Sequence, residues 1–336
     1  MQPGESAPAV SVIIPSHDPG RFIEATLDSV FAQTFADFEV IVVDDGSADG
    51  TPARVRKYKD RRLRLVEQRN AGPSAAMNTG LGLARGTLIG FLDHDDLWDR
   101  TKLARHVEFL ESHPEADLTF SWSRLIDELG RRLGLHTRHW TGPLSFDEML
   151  SDFVIGNTSA VVMRRSALDR AGWFDPELAR YYDMELFLRV ALLGPNNVHA
   201  IPAELTFYRR HSGQMSRDWR GMAADWGRML GKIRTRAGRE RDGVERQAGT
   251  NMYRYFAFLA YEQREFGQAC RLLRQSYQWK PAGFVADPRS WKMAAASLAG
   301  LVLPGRLHRT LERLAGVRAA SQEQSMRDER ANGAGQ

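Results

Sequence analysis

The chain has 336 residues, 43% of them hydrophobic, enough to bury one substantial core with a smaller helical unit beside it. Lys and Arg number 46 against 42 Asp and Glu, and no recognisable nucleic-acid module accompanies that balance, which argues against a nucleic-acid partner. A single cysteine, Cys270, excludes a disulfide framework, the first eight residues lack a signal-peptide pattern, and no apolar stretch reaches the ~18 residues of a membrane span; residues 293–303 are the longest candidate and are too short.

In chain order, residues 9–14 form the first strand-like run, followed by a Pro15-Ser16-His17-Asp18-Pro19-Gly20 loop. Phe22, Leu27, Val30 and Phe31 recur at helical spacing, with Asp18 as a candidate cap. Residues 38–43 predict a second strand running into Asp44-Asp45-Gly46-Ser47, and Asp49, Gly50 and Thr51 open the next helix. A short strand at 63–66 leads into a segment from Asn70 through Ala71-Gly72-Pro73 to Asn78 and Gly80. A fourth strand, Leu88-Ile89-Gly90-Phe91-Leu92, runs straight into Asp93-His94-Asp95-Asp96. Val- and Ile-rich strands alternating with helices predict an α/β fold with a mostly parallel sheet covered on both faces. Polar residues at the strand ends (Ser16, Asp45, Asn70 and Asp95) then face one crevice.

Three carboxylates at the end of an apolar strand repel one another unless a proton or cation intervenes. Mg²⁺ and Mn²⁺ take oxygen ligands and are commonly held by one or two carboxylates with substrate phosphates. The plainer reading is a solvated turn in which Asp96 caps a helix over 97–112. Downstream, residues 154–163 read as a loop entering a strand, and Gly172-Trp173-Phe174-Asp175-Pro176 follows a short helix. Asp183 opens an amphipathic helix, where an acid also favours the helix N-terminus. From residue 218 the pattern is helical. Met252, Tyr255, Phe256, Leu259 and Ala260 mark one helix; Ala269, Leu272, Leu273 and Tyr277 mark a second, which ends near Pro281. This pair resembles one tetratricopeptide-like unit. Residues 217–246 carry an excess of basic side chains, which is either a solvated helix surface or a face for anionic lipid. Trp291, Met293, Leu298, Leu301 and Leu303 precede Arg306, Arg309 and Arg313, a pattern of an interfacial element or of a buried helix. Residues 319–336, polar and poor in aromatics, are expected to be disordered, as are residues 1–8.

Five elements in order carry a family resemblance: Ser-Val-Ile-Ile-Pro-Ser at 11–16, Gln33-Thr34, Val-Val-Asp-Asp-Gly-Ser at 42–47, Asn-Ala-Gly-Pro-Ser-Ala-Ala-Met-Asn at 70–78, and Leu-Asp-His-Asp-Asp at 92–96. Together they closely resemble family 2 glycosyltransferases, over residues 10–216. The resemblance implies a GT-A fold (Rossmann-like, a mostly parallel central sheet flanked by helices) over 9–217, with a helical extension over 218–318. It implies an inverting glycosyltransferase of bacterial cell-surface polysaccharide synthesis, dependent on Mn²⁺ or Mg²⁺ through its Asp-x-Asp motif. The donor is a nucleotide-diphosphate sugar, a UDP-sugar first, and the acceptor a glycan, lipid-linked or protein hydroxyl. By the same resemblance Asp95 is the direct metal ligand, and Asp93 assists through the metal's water or the ribose. His211, in the Tyr208-Arg209-Arg210-His211 segment, is a third ligand or a diphosphate contact. Pro15, Ser16, Asp45, Asn70, Asn78 and Asn157 meet the nucleotide-sugar. Asp183 is the catalytic base; Tyr182 stands where the family usually has a Glu, and Glu185 is read as a neighbour of the site. Family relatives often work on lipid-linked acceptors, so the implied location is cytoplasmic, with peripheral contact to the inner membrane through the C-terminal helices.

Two other readings compete. A sugar nucleotidyltransferase would want a Gly-rich basic loop after the first strand, which Pro15-Ser16-His17-Asp18 does not provide. A non-catalytic nucleotide-sugar-binding or scaffold protein would act through the helical tail, and the joint presence of Asp45, Asp93, Asp95 and Asp183 speaks against it. A dinucleotide-binding dehydrogenase is disfavoured, because no Gly-x-Gly-x-x-Gly follows a strand.

Overall fold

The computed structural model describes residues 7–238, 241–303 and 307–308. Nearly all of the expected disordered ends, and Arg306, Arg309 and Arg313, lie outside the described residues. The described chain divides into two units, one of residues 7–212 with 225–238, the other of 213–224 with 241–303 and 307–308. The expected boundary at 217 lies two residues before α8 (Trp219–Ala237), a helix whose residues divide between the two units. From Asp225 on, this helix belongs with the first unit: Asp225 pairs with Arg180, Trp226 meets Tyr181 edge-to-face, and Met229 and Ile233 are buried.

The first unit runs β1 (Val10–Ser16), α1 (Phe22–Phe31), β2 (Phe38–Asp44), α2 (Thr51–Val55), β3 (Leu63–Glu67), α3 (Pro73–Leu83), β4 (Leu88–Phe91), β5 (Leu97–Trp98), α4 (Lys102–Ser112), β6 (Leu118–Ile126), β7 (Arg132–His136), β8 (Gly142–Pro143), α5 (Phe146–Ser151), β9 (Val161–Arg164), α6 (Arg165–Ala171), α7 (Tyr182–Ala191) and β10 (Val198–Arg209). Its sheet has the order β3-β2-β1-β4-β9-β6-β10-β5, with β7 and β8 on the edges of β6 and β10. The four strands from β3 to β4 are parallel, as expected. Beyond them the sheet is mixed: β9 runs antiparallel to both β4 and β6, and β6 and β10 are parallel again. Every residue of β1 and β2 is buried, which explains their unbroken Val and Ile runs.

The small residues of α3 have a packing reason. A Cβ on Gly80 would come within 2.5 Å of Ile13 Cγ2, so the helix lies directly on β1. Asp18 does not cap α1; its Oδ1 accepts the N–H of Ala48 at 2.7 Å and so joins the loops after β1 and β2. In the second unit, α9 (Asp242–Glu262) and α10 (Phe266–Trp279) form the expected helix pair, followed by α11 (Pro281–Ala286) and α12 (Pro288–Val302). Gly249 in α9 is required there, since a Cβ would sit 2.1 Å from the Trp279 ring.

Inside the first unit, Glu185 and Arg189, one turn apart on α7, form a fully buried pair at 2.8 Å. Arg189 also donates to the carbonyls of Gly172 and Trp173, both at 2.7 Å. Glu185 therefore serves the core and does not line the crevice. Arg189→Met should lower stability by about 3–5 kcal/mol, because Glu185 keeps a buried charge without its partner. Adding Glu185→Gln should recover part of the loss, read as denaturant midpoints of the single and double variants.

Candidate active site

The carboxyl end of β1 places Pro15 and Ser16 beside Val43 and Asp44 of β2. Just past β2, Asp45 is buried, and its carboxylate accepts from Gln68 Nε2 at 2.8 Å and from the N–H groups of Ala71 at 2.9 Å and Gly72 at 2.8 Å. Expected as a contact to a base, its carboxylate here holds the loop that begins at Gln68. Gly46 makes this close approach feasible: its φ is +77°, and a Cβ would lie 3.0 Å from the nitrogen of Asn70. The Asn70 amide nitrogen is 3.2 Å from His17 Nε2, while His17 Nδ1 is 2.9 Å from the Asp45 carbonyl. In the sequence, the one signal for His17 is its place directly after the Pro15-Ser16 strand end. Ser16 Oγ is buried with no hydrogen-bond partner. Asn78 differs from expectation. Its amide donates one N–H to the Phe174 carbonyl at 2.8 Å and accepts the Phe174 N–H at 3.0 Å, so it ties α3 to the 172–175 turn, with its second N–H outside this pair.

A contact of 3.2 Å between the Pro15 carbonyl and His94 Nδ1 joins β1 to the acidic loop after β4. The three aspartates of that loop take different directions. Asp96 turns inward, accepting from Ser159 Oγ at 2.6 Å and from the Arg209 N–H at 2.8 Å. It does not cap a helix: residues 97–98 form β5, and α4 starts at Lys102 after Asp99 has accepted the Thr101 N–H. Asp95 Oδ2 stands 2.8 Å from His211 Nε2. Arg209 anchors the strand end that carries His211, donating Nε to the Asp95 carbonyl at 2.6 Å and Nη1 to that of Glu128 at 3.1 Å.

The third component is the turn Thr158–Ala160, which touches every acid of the cluster except Asp95. Thr158 Oγ1 donates to Asp183 Oδ2 at 3.1 Å. Ser159 Oγ donates to Asp96 and accepts the N–H of Asp93 at 3.0 Å. Just before the turn, Asn157 is buried; its Nδ2 donates to Ser123 Oγ at 2.9 Å, and its Oδ1 has no partner. Beneath the turn, Lys102 Nζ, fully buried, donates to the Ala160 carbonyl at 2.9 Å and Ser121 Oγ at 3.0 Å. Asp183 enters the cluster because Tyr181, at φ +59°, takes a left-handed conformation that costs about 1–2 kcal/mol in a non-glycine residue.

The electrostatics follow from this crowding. Burial, then the charges of Asp95 and Asp183, push the Asp93 carboxyl up to about 8. Asp96 is raised for the same reasons, burial first and then Asp95 and Asp93. Burial also raises Asp183, against the opposing N–H of Met184 and hydroxyl of Thr158. Asp95 alone of the four is held low: burial works against its charge, but the His211 hydrogen bond and the charges of His94 and His211 outweigh it. Burial, then Asp93 and Asp183, keeps the Tyr182 phenol protonated, so a neutral donor stands where the family usually has a second acid. Of the expected metal set, Asp95 and His211 are paired, with Asp93 electrostatically close. Among the described residues, no three His, Cys, Asp or Glu side chains stand together in metal-holding geometry.

Comparison with known proteins bears on the family and the fold. Residues 11–171 match the family model for glycosyl transferase family 2. TuaG of Bacillus subtilis, a putative teichuronic acid biosynthesis glycosyltransferase, is 34% identical over 160 residues, 47% of this chain and 63% of TuaG. WfgD of Escherichia coli, a UDP-Glc:alpha-D-GlcNAc-diphosphoundecaprenol beta-1,3-glucosyltransferase, is 39% identical over 102 residues, 30% of this chain and 40% of WfgD. The chain thus spans less than two thirds of the length of these curated relatives. Among solved structures, S. aureus TarS 1-349 in complex with UDP-GlcNAc superposes with a TM-score of 0.59 at 21% identity, covering 87% of this chain and 86% of that one. The mannosyltransferase PcManGT of Pyrobaculum calidifontis, in complex with GDP-Man and Mn²⁺, gives 0.58 at 21%, covering 96% and 88%. At this identity these two establish the fold, which is GT-A. With its ordered strand-end motifs and the sheet that brings those motifs together, the segment 11–171 belongs to glycosyl transferase family 2.

Proposed function

We propose that the protein is an inverting, metal-dependent glycosyltransferase of cell-surface polysaccharide synthesis. It would move a sugar from a nucleotide-diphosphate sugar, a UDP-sugar, to a hydroxyl of a glycan or lipid-linked acceptor. One observation carries the reading: Asp93 and Asp183 meet at the Thr158–Ala160 turn, and Asp95, two residues after Asp93, is paired with His211. The UDP preference is supported by WfgD and by the UDP-GlcNAc complex of TarS, and the lipid-linked acceptor by the name of WfgD.

In this reading Ser16, with its unpaired hydroxyl, and the Asp45-anchored loop with Asn70 and His17 receive the nucleoside. Asp95 and His211, with Asp93 beside them, would hold Mn²⁺ or Mg²⁺. Carboxylate and imidazole donors suit such an ion, and the repulsion that lifts Asp93 is what a divalent charge relieves. When bound, the ion supplies neutralisation of the diphosphate leaving group. Asn157 offers its unpaired Oδ1 to a hydroxyl of the donor sugar. Asp183, oriented by the Thr158 hydroxyl and the Met184 N–H, takes the proton from the acceptor hydroxyl as that oxygen attacks the anomeric carbon. Its raised proton affinity, caused by burial, brings a carboxylate closer to the pH at which it must work.

The same reading puts the protein at the cytoplasmic face of the inner membrane, in contact through its C-terminal helices. It is supported by the exposure of Trp291, Leu298, Leu301 and Val302 on α12 and by Arg289 and Lys292 among them. No described helix is long and apolar enough to cross a membrane.

A panel of UDP-, GDP- and dTDP-sugars with Mn²⁺, followed by nucleotide release, tests the activity: release from one of them is expected, and none from any would refute it. Asp95→Asn should abolish that release with little change in melting temperature, and EDTA should do the same to the parent protein. Full turnover under either condition contradicts metal dependence. Asp183→Asn should lower turnover by roughly 10²–10⁴-fold with donor affinity nearly unchanged. Loss of donor affinity with turnover intact at saturation would make Asp183 a binding residue. For the membrane, the protein should sediment with anionic vesicles and be released by salt, because surface attraction is screened over ~10 Å at 0.1 M. Trp291→Gln with Leu298→Gln should stay in the supernatant; unchanged sedimentation of this variant would remove α12 from the contact.

A further inference from the structure

β6 carries an aromatic stack that none of the roles above uses. The rings of Trp122 and His139 lie 3.9 Å apart at 15°, and those of His139 and His136 lie 4.1 Å apart at 22°. The ladder is held from beneath. Trp122 Nε1 donates to the Trp140 carbonyl at 2.8 Å, and Trp140 Nε1 donates to the Pro143 carbonyl at 2.9 Å. Both histidines are exposed. In this order His139 is sandwiched between Trp122 and His136, so the ladder offers the outer face of His136 and the edges of both imidazoles as an ordered aromatic surface.

This surface is tied to the cluster of acids. Thr137, between the two stacked histidines in sequence, donates its N–H to the Ser123 carbonyl at 2.8 Å, and its hydroxyl accepts the Ser123 N–H at 2.9 Å. Ser123 Oγ accepts from Asn157, whose neighbour Thr158 holds Asp183. Gly156 lets the two loops touch, since a Cβ there would lie 2.9 Å from Thr137 Cγ2. Ser123, next to Trp122 on β6, thus links the ladder through Asn157 to the turn that orients Asp183. Between Glu128 and Asp147 the chain carries Arg131, Arg132, His136, Arg138 and His139 and no acidic residue. Three of these meet acids of other segments: Arg131 meets Asp127, Arg138 meets Asp152 at 2.8 Å and His139 lies 3.7 Å from Glu204, so Arg132 and His136 are the two with no ion pair among the described residues.

We propose that the Trp122–His139–His136 ladder is the acceptor-side subsite, taking a sugar ring of an anionic glycan. A pyranose offers an apolar C–H face to the electron-rich face of an aromatic ring and hydroxyls to groups at the ring edge. Arg132 and His136, exposed and outside those ion pairs, favour a carboxylated or phosphorylated chain over a neutral one. This rests on the transferase reading, with Asp183 as the group the acceptor must reach.

Tryptophan fluorescence of the full chain, titrated with oligogalacturonate and with a neutral malto-oligosaccharide of equal length, tests it; calorimetry of UDP with Mn²⁺ monitors the donor side. Saturable oligogalacturonate binding is expected, weakened at about 0.5 M salt. His136→Ala with His139→Ala, both at exposed positions, should weaken it about tenfold while melting temperature and UDP affinity stay unchanged. No saturable glycan binding by the parent protein, or equal affinity in the double variant, overturns the subsite, and equal binding of the neutral chain overturns its preference for anions. Failure of UDP to bind the parent protein counts against the transferase reading alone, since the glycan titration decides the subsite by itself.

Discussion

Mutual repulsion among buried carboxylates is the constraint around which the first unit is organised. Asp93, Asp95, Asp96 and Asp183 share one low-dielectric region, where each disfavours the charge of the next. A chain that accepts this cost needs donors to fix each acid separately. Asp96 has Ser159 and the backbone of Arg209, Asp183 has Thr158 and Met184, and Asp95 has His211. The result is a graded set in which the acid beside an imidazole stays ionised while its neighbours hold protons more tightly.

Those donors are themselves tethered, and the tether is a second buried polar system. Thr119 Oγ1 donates its one hydrogen to the Val162 carbonyl at 3.0 Å, so the 2.8 Å contact with His106 must use the Nδ1–H of the imidazole. His106 Nε2 is then the acceptor for Lys102 Nζ at 3.2 Å, and the lysine passes its remaining hydrogens to the Ala160 carbonyl and to Ser121. Burial lowers the proton affinity of both Lys102 and His106. The turn that orders the acids is thereby pinned to α4, β6 and β10 at once. Arg209 plays the matching part from the other side, since its guanidinium donates to the backbone carbonyls of Asp95, Asp127 and Glu128.

Much of this was legible along the chain. β1, β2 and β4 announced themselves as apolar runs ending in polar residues, and their parallel order places Ser16, Asp45 and Asp93 on one edge whatever the side-chain detail. Asp183 could be named from its place at a helix start within a family-like segment. Less legible were residues whose role depends on a distant partner. Asn78 looked like a ligand because it sits in a small-residue segment, yet Phe174, 96 residues away, takes both ends of its amide. Asp96 looked like a helix cap, and Ser159 and Arg209 claim it across 63 and 113 residues.

The sequence by itself determined the alternation of strands and helices, the family and the identity of the acids, because periodicity and motif order are properties of neighbours. The tertiary structure alone decided which acids are paired, which are left to repel, and that β9 turns the sheet mixed. It also decided that Lys102, unremarkable at the head of an amphipathic helix, lies fully buried beneath the turn that holds the acids. Hydrogen bonds and desolvation act through space, and a proton's preference for one carboxylate over another depends on which groups the fold brings within about 3 Å of it.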